Sequence, residues 1–191
     1  VAPIPTKRQQ IYFIDNDDYF NRRQMSTDEK GVEYTDNGER AIFFARGVLE
    51  TVKKLRWQPD VIVCQGWVSA VVPFYIKTAY AEEPSFAESK VICAFYPNEL
   101  KGSLGHNFKQ CVEYREATPD MLADYGDDFD FLELAKMAID YSDGVVEAAE
   151  GVNAEVIKYA EDKNKPLLRF PGDDFADPYA KLINEVCPDE D

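Results

Sequence analysis

Apolar and polar positions alternate between two rhythms along this chain. Ile42, Ala45, Val48, Leu49, Val52 and Leu55 recur at helical spacing, which predicts a helix over 39–55. Asn37 is placed to cap it, and Pro59 follows its end. Val61–Cys64 is an unbroken apolar run between polar residues, the pattern of a strand buried on both faces. Lys90–Tyr96 and Gly144–Ala149 read as further strands, and Ile11–Asp15 as an earlier one. Between them lie a mostly apolar helix over 67–80, with Pro73 tolerated in its first turn or kinking it, and a strong helix over 131–142. A helix over 153–162 follows, with Asn153 as its N-cap. Residues 16–38 and 97–112 read as loops, 113–130 as an acidic, irregular stretch with a short helix near Met121. A short helix from Asp177 ends an otherwise irregular tail that begins near 163.

Strands and helices alternate throughout, which predicts an α/β fold with an open, doubly wound, mostly parallel sheet in one domain spanning 1–191. Right-handed crossovers would bring the chain after Asp15, Cys64, Tyr96 and Ala149 to one carboxyl edge. Ligands bind at that edge in such sheets.

Charge narrows the partners. The net charge is −15, so phosphate backbones and anionic lipid surfaces are repelled, and neither nucleic acid nor membrane is expected. No apolar run is long enough to span a bilayer, and no signal peptide is visible. Val1 is not an initiator Met, so the expectation is a fragment or a processed product. The four cysteines form no CxxC and have no His at ligand spacing. They read as buried free thiols in a reducing compartment, the cytoplasm, with no zinc.

Candidate chemistry is sparse. Cys64 lacks a His to activate it. His106 stands alone beside Gly105 and reads as solvated. Asp15, Asn16, Asp17 and Asp18 lack calcium-loop spacing and read as a solvated loop. No GxGxxG or GxxxxGK[ST] loop is present, which argues against dinucleotide binding and P-loop NTPase chemistry. No cofactor is expected.

Five stretches carry a resemblance. YFIDNDDYFNR (12–22), YTDNGERAIFFARGVLE (34–50), WQPDVIVCQGWVSAVVPFYIK (57–77), KVICAFYPNELKG (90–102) and KMAIDYSDGVVEAAEGVNAEVI (136–157) stand in order. They resemble the motifs of the bacterial glycogen synthases and plant starch synthases, glycosyltransferase family 5, over roughly 11–160. The third is similar to the family's P-D-V-I-H-x-H-D-W-x-x-x-L-x-P, the fourth to T-I-H-N-L-x-Y-Q-G. The resemblance implies a Rossmann-like half of a two-domain enzyme. Such enzymes move glucose from a nucleotide sugar, typically ADP-glucose, to the non-reducing end of an α-1,4-glucan, with retention.

Carried over position by position, the resemblance sets Val63 and Gln65 where the family has His, and Gly66 where it has an acidic residue. Tyr96 stands at the fourth motif's His and Pro97 at its Asn. Asp36, Asn37, Arg40, Trp67, Pro73 and Gly102 match. The implied substrate-binding set is therefore Asp36, Asn37, Gln65, Trp67 and Tyr96, with no catalytic residue assigned. Trp67 either packs against the sheet or stacks on a sugar, packing being favoured. Asp36 and Asn37 either shape the turn before the helix or touch a glucan, the turn being favoured. The family's K-x-G-G-L loop and its diphosphate-holding second domain have no counterpart here. The expectation is thus a catalytically incomplete acceptor-side domain, completed by a second domain or partner protein. The alternative is a non-catalytic regulator, a pseudoenzyme binding α-glucan or protein. An unpaired strand edge would favour a homodimer.

Overall fold

The computed structural model describes residues 2–4, 9–97 and 99–188. The chain opens with a two-stranded antiparallel hairpin, β1 (Ala2–Ile4) and β2 (Gln9–Ile11), that stands apart from the main sheet. A one-turn helix α1 (Asp17–Phe20) and a polar loop lead to α2 (Asn37–Lys54). Then come β3 (Val61–Gln65), a 3-10 turn at Trp67–Ser69, α3 (Val72–Lys77) and β4 (Lys90–Phe95). After α4 (Phe108–Cys111) and a second 3-10 turn at Pro119–Leu122 follow α5 (Phe131–Asp140), β5 (Gly144–Glu147) and α6 (Ala154–Asp162). A two-residue strand β6 (Leu167–Leu168) and α7 (Ala176–Val186) complete the order. Among the described residues, no helix is long and apolar enough to cross a membrane.

The main sheet is parallel throughout, in the order β3-β4-β5-β6. Alternation along each strand divides the core. Cys64, Val91, Cys93, Phe95 and Val145 face a large cluster built with α2, α3, α5 and α6. Ile92, Ala94 and Val146 face the other side, where Leu182 and Val186 of α7 cover them. Helices thus lie on both faces, as expected, although the strand order runs without a reversal among the described residues.

Four elements depart from the sequence reading. Residues 12–15 do not extend a strand of the main sheet. Asn16 accepts the Tyr19 N–H at 3.0 Å and starts α1, and Ile14 packs on α2 opposite Gly47. Helix α2 begins at Asn37, with Asp36 rather than Asn37 at the cap position. Asp36 makes no capping bond because its carboxylate is engaged by Arg22 at 2.6 and 2.7 Å. The tail contributes β6 and a long α7 instead of a short helix. The helix after β3 begins as a 3-10 turn and ends at Lys77. The expected cap of α6 is present, with Asn153 accepting the Glu155 N–H at 2.9 Å.

Candidate functional site

The parallel strands end together at Gln65, Phe95 and Glu147, which defines one carboxyl edge. Immediately after β3 the chain reverses at Gly66, whose φ of +75° suits glycine. Its N–H bonds the Ala94 carbonyl at 3.1 Å. The Ser69 hydroxyl donates to the Gln65 and Gly66 carbonyls at 2.8 and 3.1 Å, fixing the turn that carries Trp67.

Gln65 and Tyr96 meet at this edge. The Tyr96 hydroxyl donates toward the Gln65 side-chain oxygen at 3.5 Å, a long, weak contact. Both line a cleft of about 590 Å³ between the strand ends and the loop leading into α7. Its far wall is Phe170, Asp173, Phe175 and Tyr179.

Trp67 lies beneath this edge, 6% exposed, with the Arg40 guanidinium 5.9 Å from its ring. Its ring face is given to packing. Asp36 and Asn37 stand on the other side of the turn, at the start of α2. Asp36 is doubly bonded to Arg22, whose guanidinium lies 4.5 Å over the Tyr34 ring. The Arg22 bond, opposed by partial burial, holds the Asp36 carboxyl below its ordinary range. Asn37 donates to the Ser26 carbonyl at 2.9 Å and accepts from Arg40 at 2.7 Å. Buried Arg40 also donates to the Tyr19 and Met25 carbonyls at 2.9 and 2.6 Å. These three residues tie the loop of 19–36 onto α2. Only Gln65 and Tyr96 of the expected set share the cleft.

Two residues not singled out in the sequence stand at the edge. Glu99 tucks its carboxyl under the Gly66 turn, 3.6 Å from where a Cβ of residue 66 would lie. One oxygen accepts the Tyr96 N–H at 3.1 Å, and the other is buried without a hydrogen-bond partner among the described residues. Burial pushes this carboxyl up to about 7, against the pull of the Tyr96 N–H. Glu33 reaches the same loop from the far side, accepting the Lys101 and Gly102 N–H groups at 2.6 and 2.7 Å. The only signal available beforehand was an acidic residue in the loop after a predicted strand. The aromatic wall from the tail had no signal, because the tail matched no motif.

Cys64 is fully buried, and burial raises its thiol well above the ordinary range, so it offers no nucleophile. His106 is exposed in its loop. Among the described residues, no group of three or more His, Cys, Asp or Glu side chains is arranged to hold a metal.

Known proteins place these features in a lineage. The starch synthase catalytic domain family matches residues 1–169. The chain is 39% identical over 102 residues to a glycogen synthase of Vibrio parahaemolyticus, covering 53% of this chain and 21% of that protein. It is 39% identical over 105 residues to a glycogen synthase of Chlorobium limicola, covering 54% and 22%. The catalytic domain of starch synthase IV from Arabidopsis thaliana, solved with ADP and acarbose, superposes with a TM-score of 0.56. It covers 77% of this chain and 31% of that one at 19% identity, a likeness of fold. The chain thus spans about a fifth of the length of the curated relatives it matches. With its motifs in order and its parallel sheet in place, this chain belongs to the starch synthase catalytic domain family.

Proposed function

We propose that this chain is the acceptor-side part of a glucosyltransferase that moves glucose from ADP-glucose to the non-reducing end of an α-1,4-glucan, acting in the cytoplasm. The observation that carries this reading is the family match over 1–169, with Gln65 and Tyr96 together at the carboxyl edge of β3 and β4. Gln65 and Tyr96 then orient the sugar by hydrogen bonds, while the Arg22–Asp36 and Arg40–Asn37 pairs brace the α2 end of the site. Transfer requires groups that neutralise the departing diphosphate. Among the described residues, no Lys, Arg or His lines the cleft. These residues alone are therefore catalytically incomplete, and the missing cations come from further chain or from a partner. The outer edge of β3, which has no partner strand among the described residues, supports completion by another strand, including that of a second copy.

The same cation-free cleft favours a second reading, a pseudoenzyme that binds α-glucan and regulates its synthesis. Labelled ADP-glucose and maltoheptaose, incubated with the purified chain, test both. The expected result is maltoheptaose binding without transfer. Transfer by the chain alone would sink its incompleteness. Absence of glucan binding by the folded chain would sink the acceptor-side assignment. Activity restored by the rest of a family enzyme separates the incomplete enzyme from the regulator.

A further inference from the structure

The cleft's outer wall comes from residues 170–179, beyond the 169 residues that the family matches. This wall is held in place. The Phe170 N–H donates to the Glu147 carboxylate at 3.3 Å, and Arg169 lies between Glu147 and Glu161 at 3.6 and 3.5 Å. Gly172 turns the chain at a φ of +75°. Leu182 and Val186 of α7 anchor the far end against Ile92, Ala94 and Val146. Segment 170–179 is thereby fixed at the same carboxyl edge as Gln65 and Tyr96.

Its composition points to one class of ligand. Phe170 is 40% exposed and Phe175 59% exposed, so two aromatic faces are left in water at the mouth of a cleft. Phe175 meets Tyr179 edge-to-face at 6.2 Å, which fixes its ring plane. Among the described residues, Asp173 is the only charged one lining the cleft. With no cation lining it among the described residues and a net charge of −15, a diphosphate is unwelcome. A neutral polyol fits: its C–H faces stack on Phe rings, and its hydroxyls meet the Gln65 amide, the Tyr96 phenol and the Asp173 carboxylate. The volume, about 590 Å³, suits a short stretch of sugar chain.

The geometry points to a chain-specific oligosaccharide subsite, with Phe170 and Phe175 as stacking surfaces and Gln65, Tyr96 and Asp173 as hydrogen-bonding partners. Its occupant is the end of a neutral α-1,4-glucan. The choice of linkage rests on the reading under Proposed function; the choice of a neutral sugar over a nucleotide rests on the cleft itself.

Calorimetric titration of the full chain with maltoheptaose, cellohexaose and ADP tests this, on wild type and on Phe170→Ala, Phe175→Ala and Phe13→Ala. All three phenylalanines are well exposed, so the variants retain the fold, checked by near-UV circular dichroism. The expected result is maltoheptaose binding that weakens about three- to tenfold in Phe170→Ala and Phe175→Ala and is unchanged in Phe13→Ala, which lies outside the cleft. ADP should not displace it. Unchanged maltoheptaose binding in both cleft variants overturns the tail subsite while leaving the glucan reading intact. Equal binding of cellohexaose overturns the α-glucan assignment. Displacement by ADP overturns the neutral-ligand argument. No binding of either oligosaccharide by wild type overturns the subsite and the acceptor-side reading together.

Discussion

Glu33 lies against the backbone of Gly102, accepting its N–H at 2.7 Å with one carboxylate oxygen while the other takes the N–H of Lys101 at 2.6 Å. A Cβ on residue 102 would stand 2.8 Å from the nearer oxygen, so the close approach uses the absence of a side chain. The polar loop before α2 is thus joined to the loop after β4, the loop that also carries Glu99.

Removing that clamp should loosen the edge. Glu33→Ala forfeits two charge-assisted bonds at an exposed site and should cost about 1–2 kcal/mol. Gly102→Ala only pushes aside the flexible end of a carboxylate and should cost less than Glu33→Ala. Urea midpoints give the order, and amide exchange at Lys101 and Gly102 should speed up most in Glu33→Ala. The reverse order of stabilities would show that the clamp does not hold the loop.

Arg40 should matter more. Its guanidinium, 1% exposed, serves two backbone carbonyls and the Asn37 side chain. Arg40→Met leaves those acceptors unsatisfied in the interior, at a cost of about 3 kcal/mol. Arg40→Lys should recover only part of this, because one ammonium cannot reproduce the fork that spans Tyr19, Met25 and Asn37. Denaturation curves check the ranking, and exchange protection over 17–36 should fall with it. A Lys variant as stable as wild type would mean that charge rather than fork geometry holds the loop.

Much of the fold could be read from the residue pattern because the apolar runs at 61–64, 90–96 and 144–149 have the short lengths, β-branched content and polar flanks of buried parallel strands. The helices over 39–55, 131–142 and 153–162 carried both their period and, in the last, a cap. What escaped was decided by tertiary contacts. Residues 12–15 look β-prone, yet Ile14 packs on α2 opposite Gly47. Two residues, Leu167 and Leu168, are too few to show a strand period. Of the residues lining the candidate cleft, motif positions led only to Gln65 and Tyr96. Glu99, Glu33 and the tail phenylalanines were invisible because their roles come from which loops meet.

The cysteines give a direct reading of burial. Cys64 and Cys93 are buried, Cys187 is half-buried and Cys111 is exposed. Burial lifts the Cys93 thiol to about 12, and lifts Cys64 well above its ordinary range, so neither forms thiolate near neutral pH. A thiol-reactive chromophore at pH 8 should label Cys111 first, Cys187 more slowly, and Cys64 and Cys93 only after denaturation. Rapid labelling of all four thiols in the native protein would contradict the packing of β3 against β4.

Glu99 makes stability depend on pH around neutrality. Its folded pKa, about 7, lies above the ordinary value of 4.5, because burial disfavours the charged form. Between those two values the native state holds a proton that the unfolded chain has released, so stability falls as pH rises. The contribution is fully present below about 4.5 and is lost as pH climbs through about 7, with a magnitude on the order of 2 kcal/mol. Glu99→Gln keeps the shape and removes the titration. It should match wild type at pH 4.5 and exceed it at pH 8, where the wild-type carboxylate must ionise beneath the Gly66 turn. Urea denaturation of both proteins across pH 4.5–8 gives the difference. A gap that stays constant over that range would mean that Glu99 is ionised in the fold, and that its second oxygen has found a partner at the carboxyl edge.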